Sequence, residues 1–144
     1  MIQVGGATRD RGTVAMFTAI FALFVIMLAG LLVDGGLAIH ARERAADIAE
    51  QAARAGADDI DIEELRRTGE PTVKTETACA RAAQLAETYA DSLAGWNCSA
   101  GTDEVSVTVT IPVELQLLSI VPGLGGFNMT STATAHPERG NDEG

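Results

Sequence analysis

The chain has 144 residues, a formal net charge of −10, and an apolar content of 47% that is inflated by one N-terminal run. Beyond that run the length suffices for one domain, and an aromatic content of 4% means that its core is built mainly from Ala, Val, Leu and Ile. The negative charge argues against nucleic acid or an anionic lipid surface as a partner.

The first predicted element is a membrane-spanning helix over residues 13–33, which carry no charge. A helix of this length is about 31 Å long, close to the ~30 Å hydrocarbon core of a bilayer. Residues 1–12 are predicted to form a short disordered head on the cytoplasmic side. A cleaved secretory signal is the competing interpretation, but the apolar run is about twice as long as the apolar region of such signals.

Four alanines share one face of this helix: Ala15, Ala19, Ala22 and Ala29. Small residues at this spacing let a second helix approach closely in lipid, which predicts lateral association. The alternative is the ordinary alanine content of a hydrophobic helix. Asp34 follows the span, and an acid at the membrane edge is a candidate functional residue unless it simply reaches water.

Residues 34–57 are predicted to continue the same helix as an amphipathic segment, with Gly56 as its stop. Apolar residues recur along it at spacings of four and three, as expected for a buried helical stripe. These residues are Ala41, Ala45, Ile48, Ala52 and Ala55.

The N-terminal motifs resemble a known family. Arg11-Gly12 precedes the apolar run, Asp34 follows it, and RAADIA at 44–49 leads to ARAGA at 53–57. This order resembles the N-terminal segment of TadE/TadG-like proteins of tight-adherence (Flp-type) pilus assembly. The resemblance implies a non-enzymatic structural or assembly role with no cofactor and no small-molecule substrate. It implies partners among other pilus-assembly membrane proteins or like subunits.

The chain departs from the family pattern at two points. TadE-like pseudopilins carry a glutamate five residues after the cleavage glycine, and here that position is Phe17. Gly12 and Thr13 are therefore a candidate processing site that lacks a recognition residue. Longer TadG forms also carry a von Willebrand A-like domain, whose metal-binding motif does not occur in this sequence.

Residues 58–136 are predicted to form an extracytoplasmic α+β domain, followed by a disordered tail at 137–144. Asp61 is expected to cap a short helical turn that runs through Arg67. A second helix is predicted over 75–93. Alternation of Val with Ser or Thr predicts the main strand at 104–114, with further strands at 128–136 and 96–99.

Cys79 and Cys98 are the only cysteines, and both follow the span. A single pair in a small domain fits a disulfide in an oxidising compartment, and the alternative is two unpaired buried thiols. Basic residues on the two sides of the span nearly balance, so the cysteines decide the orientation. They favour a cytoplasmic N-terminus and an extracytoplasmic domain.

The segment 115–127 is apolar and rich in glycine. Packing on the sheet as part of the core is the favoured interpretation, and the alternative is a short helix that dips into the membrane surface. No phosphate loop, metal-ligand spacing or nucleophile motif occurs in the sequence.

The predicted fold is thus membrane-anchored α+β with a pilin-like architecture: a long transmembrane-plus-amphipathic helix, a second helix and a small antiparallel sheet. The predicted function is a structural or assembly component of a Tad/Flp-type pilus or secretion system, resembling a minor pseudopilin. The alternative is a membrane-tethered cell-envelope binding or sensing module unrelated to pili.

Overall fold

The computed structural model describes residues 7–138, with side chains from Gly12 onward. Its first element, α1, runs without interruption over Ala7–Ala57. It begins six residues before the predicted span and passes through Gly35 and Gly36 without a break. The rest of the predicted head (1–6) and of the predicted tail (139–144) lies outside the described residues.

The N-terminal half of α1 packs against almost nothing else in the described chain. An 18-residue window of this helix has a mean hydropathy of 2.7, and only 6% of that window is buried. The core helix of a soluble protein would be mostly covered instead. The hydroxyl of Thr18 donates to the carbonyl of Val14 at 2.8 Å, so this polar group is satisfied within the helix. This half of α1 fits a single-pass membrane anchor.

Two shorter helices follow α1: α2 at Ile62–Thr68 and α3 at Thr75–Thr88. Asp61 caps α2 as expected, because its carboxylate accepts from the backbone N–H groups of Glu63 and Glu64 at 3.0 and 3.1 Å. The second predicted helix ends five residues early, at Thr88, and gives way to a 3-10 turn at Ala90–Ser92.

Three antiparallel strands form the sheet in the order β1-β2-β3, with β1 at Gly95–Ala100, β2 at Val105–Val113 and β3 at Phe127–Ala135. The central strand β2 contains Pro112, which cannot donate a ladder hydrogen bond. The proline is tolerated because β1 ends opposite Thr110, so that edge of β2 has no partner at Pro112.

The core lies between α1 and the sheet. Val105, Val107 and Val109 of β2 are fully buried, as are Ala45 and Ala52 of α1. The buried stripe of α1 is wider than predicted, since α1 packs against α3 as well as against β2 and β3. Two residues outside the predicted stripe, Ala49 and Ala53, are therefore buried too.

The segment between β2 and β3 differs from the favoured expectation. We call residues 115–126 the apolar loop. It contains a 3-10 turn at Leu118–Ile120, and Ile120 is 82% exposed. Leu117, Val121 and Leu124 are also exposed. Core packing is therefore wrong for most of the segment, because α1 and α3 already fill the inner face of the sheet.

Candidate membrane-boundary site

Asp34 joins α1 to the apolar loop. Its side chain is only 2% exposed, although it directly follows the predicted span. One carboxylate oxygen accepts from the backbone N–H of Gln116 at 2.8 Å, and the other accepts from that of Leu118 at 2.7 Å. The N–H of Leu117 lies 3.2 and 3.3 Å from the two oxygens. The expectation that Asp34 reaches water is therefore wrong.

The three donors are the backbone N–H groups that open the 3-10 turn at Leu118–Ile120. Such groups have no partner within their own turn, and a carboxylate is well suited to accept from them. Here the capping acid comes from a helix more than 80 residues earlier in the chain. Asp34 thus acts as a long-range cap that holds the start of the apolar loop against α1.

Gly30 lies one helical turn before Asp34 and makes room for the loop. A Cβ at this position would lie 3.5 Å from Cβ of Leu117 and 3.6 Å from a methyl of Leu118. These are ordinary contact distances, so the loop rests directly on the helix backbone here. Gly30 is the one residue of the predicted span that is buried.

The far end of the loop is closed by a second glycine. A Cβ on Gly126 would lie 2.7 Å from the carbonyl oxygen of Val113, a distance that no side chain tolerates. Gly123 adopts a φ of 93°, in the region that favours glycine. Gly123 and Gly126 thus each occupy a position that requires glycine, where the chain returns to β3.

The electrostatics of Asp34 favour its charged form. Burial raises the pKa of this carboxyl, but hydrogen bonds from the backbone N–H groups of Leu118, Gln116 and Leu117 outweigh burial, and the net pKa is lowered from 3.8. Asp34 is therefore an ionised clamp at neutral pH.

The two cysteines meet. Cys79 in α3 and Cys98 in β1 form a disulfide with a Cα–Cα distance of 5.7 Å. The early end of α3 at Thr88 makes this closure easy, because the chain has ten residues to return from the helix to Cys98. The bridge links α3 to β1, an edge strand of the sheet.

The remaining predicted site residues all lie on the bare part of α1. Side chains of the four-alanine face are exposed along the helix, at Ala15, Ala19, Ala22 and Ala29. At 3.6 residues per turn this face points roughly 100° away from the side of α1 that carries Asp34 and the domain. The peptide bond between Gly12 and Thr13 lies inside α1.

Outside the Asp34 site, the grooves formed by the described residues do not bring together side chains that suit catalysis or metal binding. An open groove of about 480 Å³ lies between the end of α1 and α3, and Asp58, Arg81 and Gln84 are among its lining residues. Among the side chains described at 12–138, no group of three or more His, Cys, Asp or Glu residues is placed to hold a metal ion. The Asp34 clamp is instead the polar contact that connects distant parts of the chain at the membrane edge.

Sequence reasoning singled out Asp34 but not its partner or Gly30. The partner is a set of backbone N–H groups, and no residue type marks such donors in a sequence. The one available signal was the apolar segment 115–127 itself, because its apolar side chains need to be covered by other parts of the protein or by lipid.

These features define a class: a single-helix membrane anchor that continues into a small α+β domain and is clamped to it at the membrane edge. Residues 12–59 match the model of the Tad family, described as Flp pilus-assembly TadE/G-like. The matched segment covers the bare half of α1, Asp34 and the packed half. The predicted resemblance is therefore confirmed over this segment. No curated protein and no solved structure matches the chain.

Proposed function

We propose that this protein is a non-enzymatic, membrane-anchored component of a Tad/Flp-type pilus or secretion system, with a role like that of a minor pseudopilin. One observation carries the proposal: α1 is a continuous helix whose first half is bare and whose second half packs on the sheet. The match of residues 12–59 to a pilus-assembly family supports it. Its mechanism is helix packing in the membrane rather than catalysis.

The proposed contact with other subunits is the four-alanine face of α1. It lies roughly 100° around α1 from the side that carries the domain, so a second transmembrane helix can approach it from beside the sheet and the apolar loop. Dispersion contacts at close backbone approach then hold the two helices together, since lipid supplies no hydrophobic drive between them.

In the proposed orientation the N-terminus is cytoplasmic and the domain is extracytoplasmic. The Cys79–Cys98 disulfide supports this arrangement, because such bridges persist in oxidising compartments. We also propose that the chain stays uncut at Gly12–Thr13. This bond lies within a helix, which must unwind before a peptidase can cleave it, and Phe17 stands where the family carries a glutamate. An intact mass of the native protein tests the second point.

A deletion strain tests the function. Loss of the gene is expected to abolish or sharply reduce surface pili, counted by electron microscopy, and the wild-type gene should restore them. A double variant, Ala19→Leu with Ala22→Leu, should fail to restore them because it removes the close approach of a second helix. Leu28→Phe enlarges a side chain on the far side of the helix and should restore them.

Unchanged pili in the deletion strain would overturn the proposal and favour the envelope-module alternative. If the deletion abolishes pili and the alanine-face variant restores them fully, the role in assembly stands but the proposed contact is wrong. Immunoblots of membrane fractions confirm that each variant is made and inserted.

A further inference from the structure

The outward side of the apolar loop is a hydrophobic surface without a partner among the described residues. Ile120 is 82% exposed, and Leu117 and Leu124 are each 45% exposed. The sequence carries no Asp, Glu, Lys or Arg from 115 to 137, in a chain whose net charge is −10. An apolar, uncharged patch of this kind on an otherwise acidic domain marks an interaction surface.

The position of the loop identifies what it meets. Asp34 and Gly30 hold the loop against the last turn of the predicted span. Gly30 lies three residues before the predicted end of the span at Val33, which is about 5 Å inside the boundary at the helical rise. Segments that lie in the membrane interface bury their apolar side chains ~5–10 Å deep. The loop is therefore at the depth of the interface.

The backbone of the loop also suits a place with little water. Asp34 accepts from the N–H groups of residues 116–118. Val121 donates to the carbonyl of Leu118 at 3.0 Å, and Leu124 donates to that of Val121 at 3.1 Å. Pro122 has no N–H to satisfy. Unpaired backbone groups are costly near hydrocarbon, and the N–H groups of residues 116–118, 121 and 124 are paired in this loop.

We propose that the apolar loop is a second membrane contact, in which Leu117, Ile120 and Leu124 enter the headgroup–acyl boundary of the leaflet on the domain side. The occupant of this surface is lipid of the same bilayer that α1 crosses. The inference rests on the proposed anchoring by α1. Two contacts with one bilayer fix the tilt and rotation of the domain, which a single helix leaves free.

Lipid is favoured over a second copy of the chain for a geometric reason. Leu117 and Leu118 of the loop pack on α1 at Gly30, so the loop shares a level along the helix axis with the exposed neighbours of Gly30. Any environment that covers Leu31 and Leu32, which are 60% and 79% exposed at this level of α1, also reaches the loop.

Tryptophan quenching by brominated lipid tests the proposal in the full chain, reconstituted in phosphatidylcholine vesicles. The background is Trp96→Phe, which removes the only tryptophan. Ile120→Trp then reports on the loop, and Phe24→Trp reports independently on the span. Ile62→Trp is the matched control, since Ile62 is an exposed isoleucine (59%) in α2, which follows the end of α1 at Ala57, and α1 rises roughly 35 Å from Asp34 to that end.

We expect the probe at position 120 to lose most of its fluorescence to lipid brominated near the headgroup, at every protein-to-lipid ratio. The probe at position 24 should be quenched most by lipid brominated near the acyl-chain end. The probe at position 62 should not be quenched, which shows that tryptophan itself does not draw an exposed site into lipid.

Each of the other outcomes overturns the loop proposal, the anchoring proposal or both. If position 24 is quenched and position 120 is not, the loop proposal fails while the anchor stands. A blue-shifted, unquenched probe at position 120 that becomes quenched on dilution with lipid means that a second copy covers the loop, which also overturns it. If position 24 is not quenched, the anchoring proposal fails and the loop proposal falls with it.

Discussion

At the scale of single residues, Asp34 connects two parts of the chain that lie more than 80 residues apart in sequence. A lone carboxylate at a membrane edge is normally solvated, but this one is 2% exposed and accepts from three consecutive backbone N–H groups. Charge-assisted hydrogen bonds of this kind are stronger than neutral ones. The start of the apolar loop therefore depends on the charge of one side chain.

Asp34→Asn should release the start of the loop. The amide keeps one acceptor oxygen but turns an N–H₂ group toward backbone N–H donors, so at least one donor loses its partner. We expect hydrogen exchange at residues 116–118 to become roughly tenfold faster or more. Hydrogen-exchange mass spectrometry of the reconstituted protein measures this.

Asp47→Asn is the matched control for this change. Asp47 is an exposed acid farther along α1, and removing its charge should leave exchange in the loop unchanged. Equal exchange in the Asp34 variant and the wild type would contradict the clamp.

At the scale of elements, α1 serves two environments with one helix. Large apolar residues fill the bare half, and alanines dominate the half that packs on the sheet. Small side chains there let the helix lie close to β2 and α3. The approach is close at Gly56, where a Cβ would lie 2.9 Å from a methyl of Val105 and 3.0 Å from the carbonyl oxygen of Ala78.

Gly56→Ala should destabilise the domain, because the new methyl group must displace α3 or β2. Overpacking of this kind costs about 1–3 kcal/mol in the free energy of unfolding, partly offset by the better helix propensity of alanine. Denaturant unfolding in detergent, followed by the fluorescence of Trp96, measures the change.

Gly35→Ala provides the comparison within the same helix. No atom lies within 4 Å of a Cβ added at Gly35. This variant should be neutral or gain up to about 1 kcal/mol from helix propensity. If both glycine variants behave alike, the close approach at Gly56 does not limit packing.

At the scale of the whole molecule, α1 is a rod of 51 residues, which is about 77 Å long at the standard rise. The domain packs on the second half of α1. The sheet, α3 and the apolar loop all contact this helix. The disulfide adds a link between α3 and β1.

Removal of the disulfide by Cys79→Ala with Cys98→Ala should lower the free energy of unfolding by about 3 kcal/mol, as expected for a closed loop of this size. The two cysteines are 19 residues apart in sequence. Thermal unfolding in detergent, with and without reductant, measures the loss. The wild type should respond to reductant and the double variant should not; an unresponsive wild type would contradict the bridge.

Local patterns in the sequence determined most of the elements. The uncharged run at 13–33, the Val/Thr alternation of β2 and the Asp61 cap depend on neighbours within a few residues, so periodicity and residue chemistry predict them. The end of the second helix was placed five residues too late, at Leu93 instead of Thr88. The apolar stripe of that helix continues past its true end, and only the return of the chain to β1 stops it.

The tertiary structure alone decided what Asp34 and the apolar loop do. Their partners are more than 80 residues apart, and the donors are backbone groups that every residue type carries, so the sequence holds no trace of the pairing. An apolar segment is equally compatible with a core and with a membrane surface until the rest of the core is filled. Once α1 and α3 cover the inner face of the sheet, the loop has no place there, and the clamp at Asp34 turns it toward the bilayer edge.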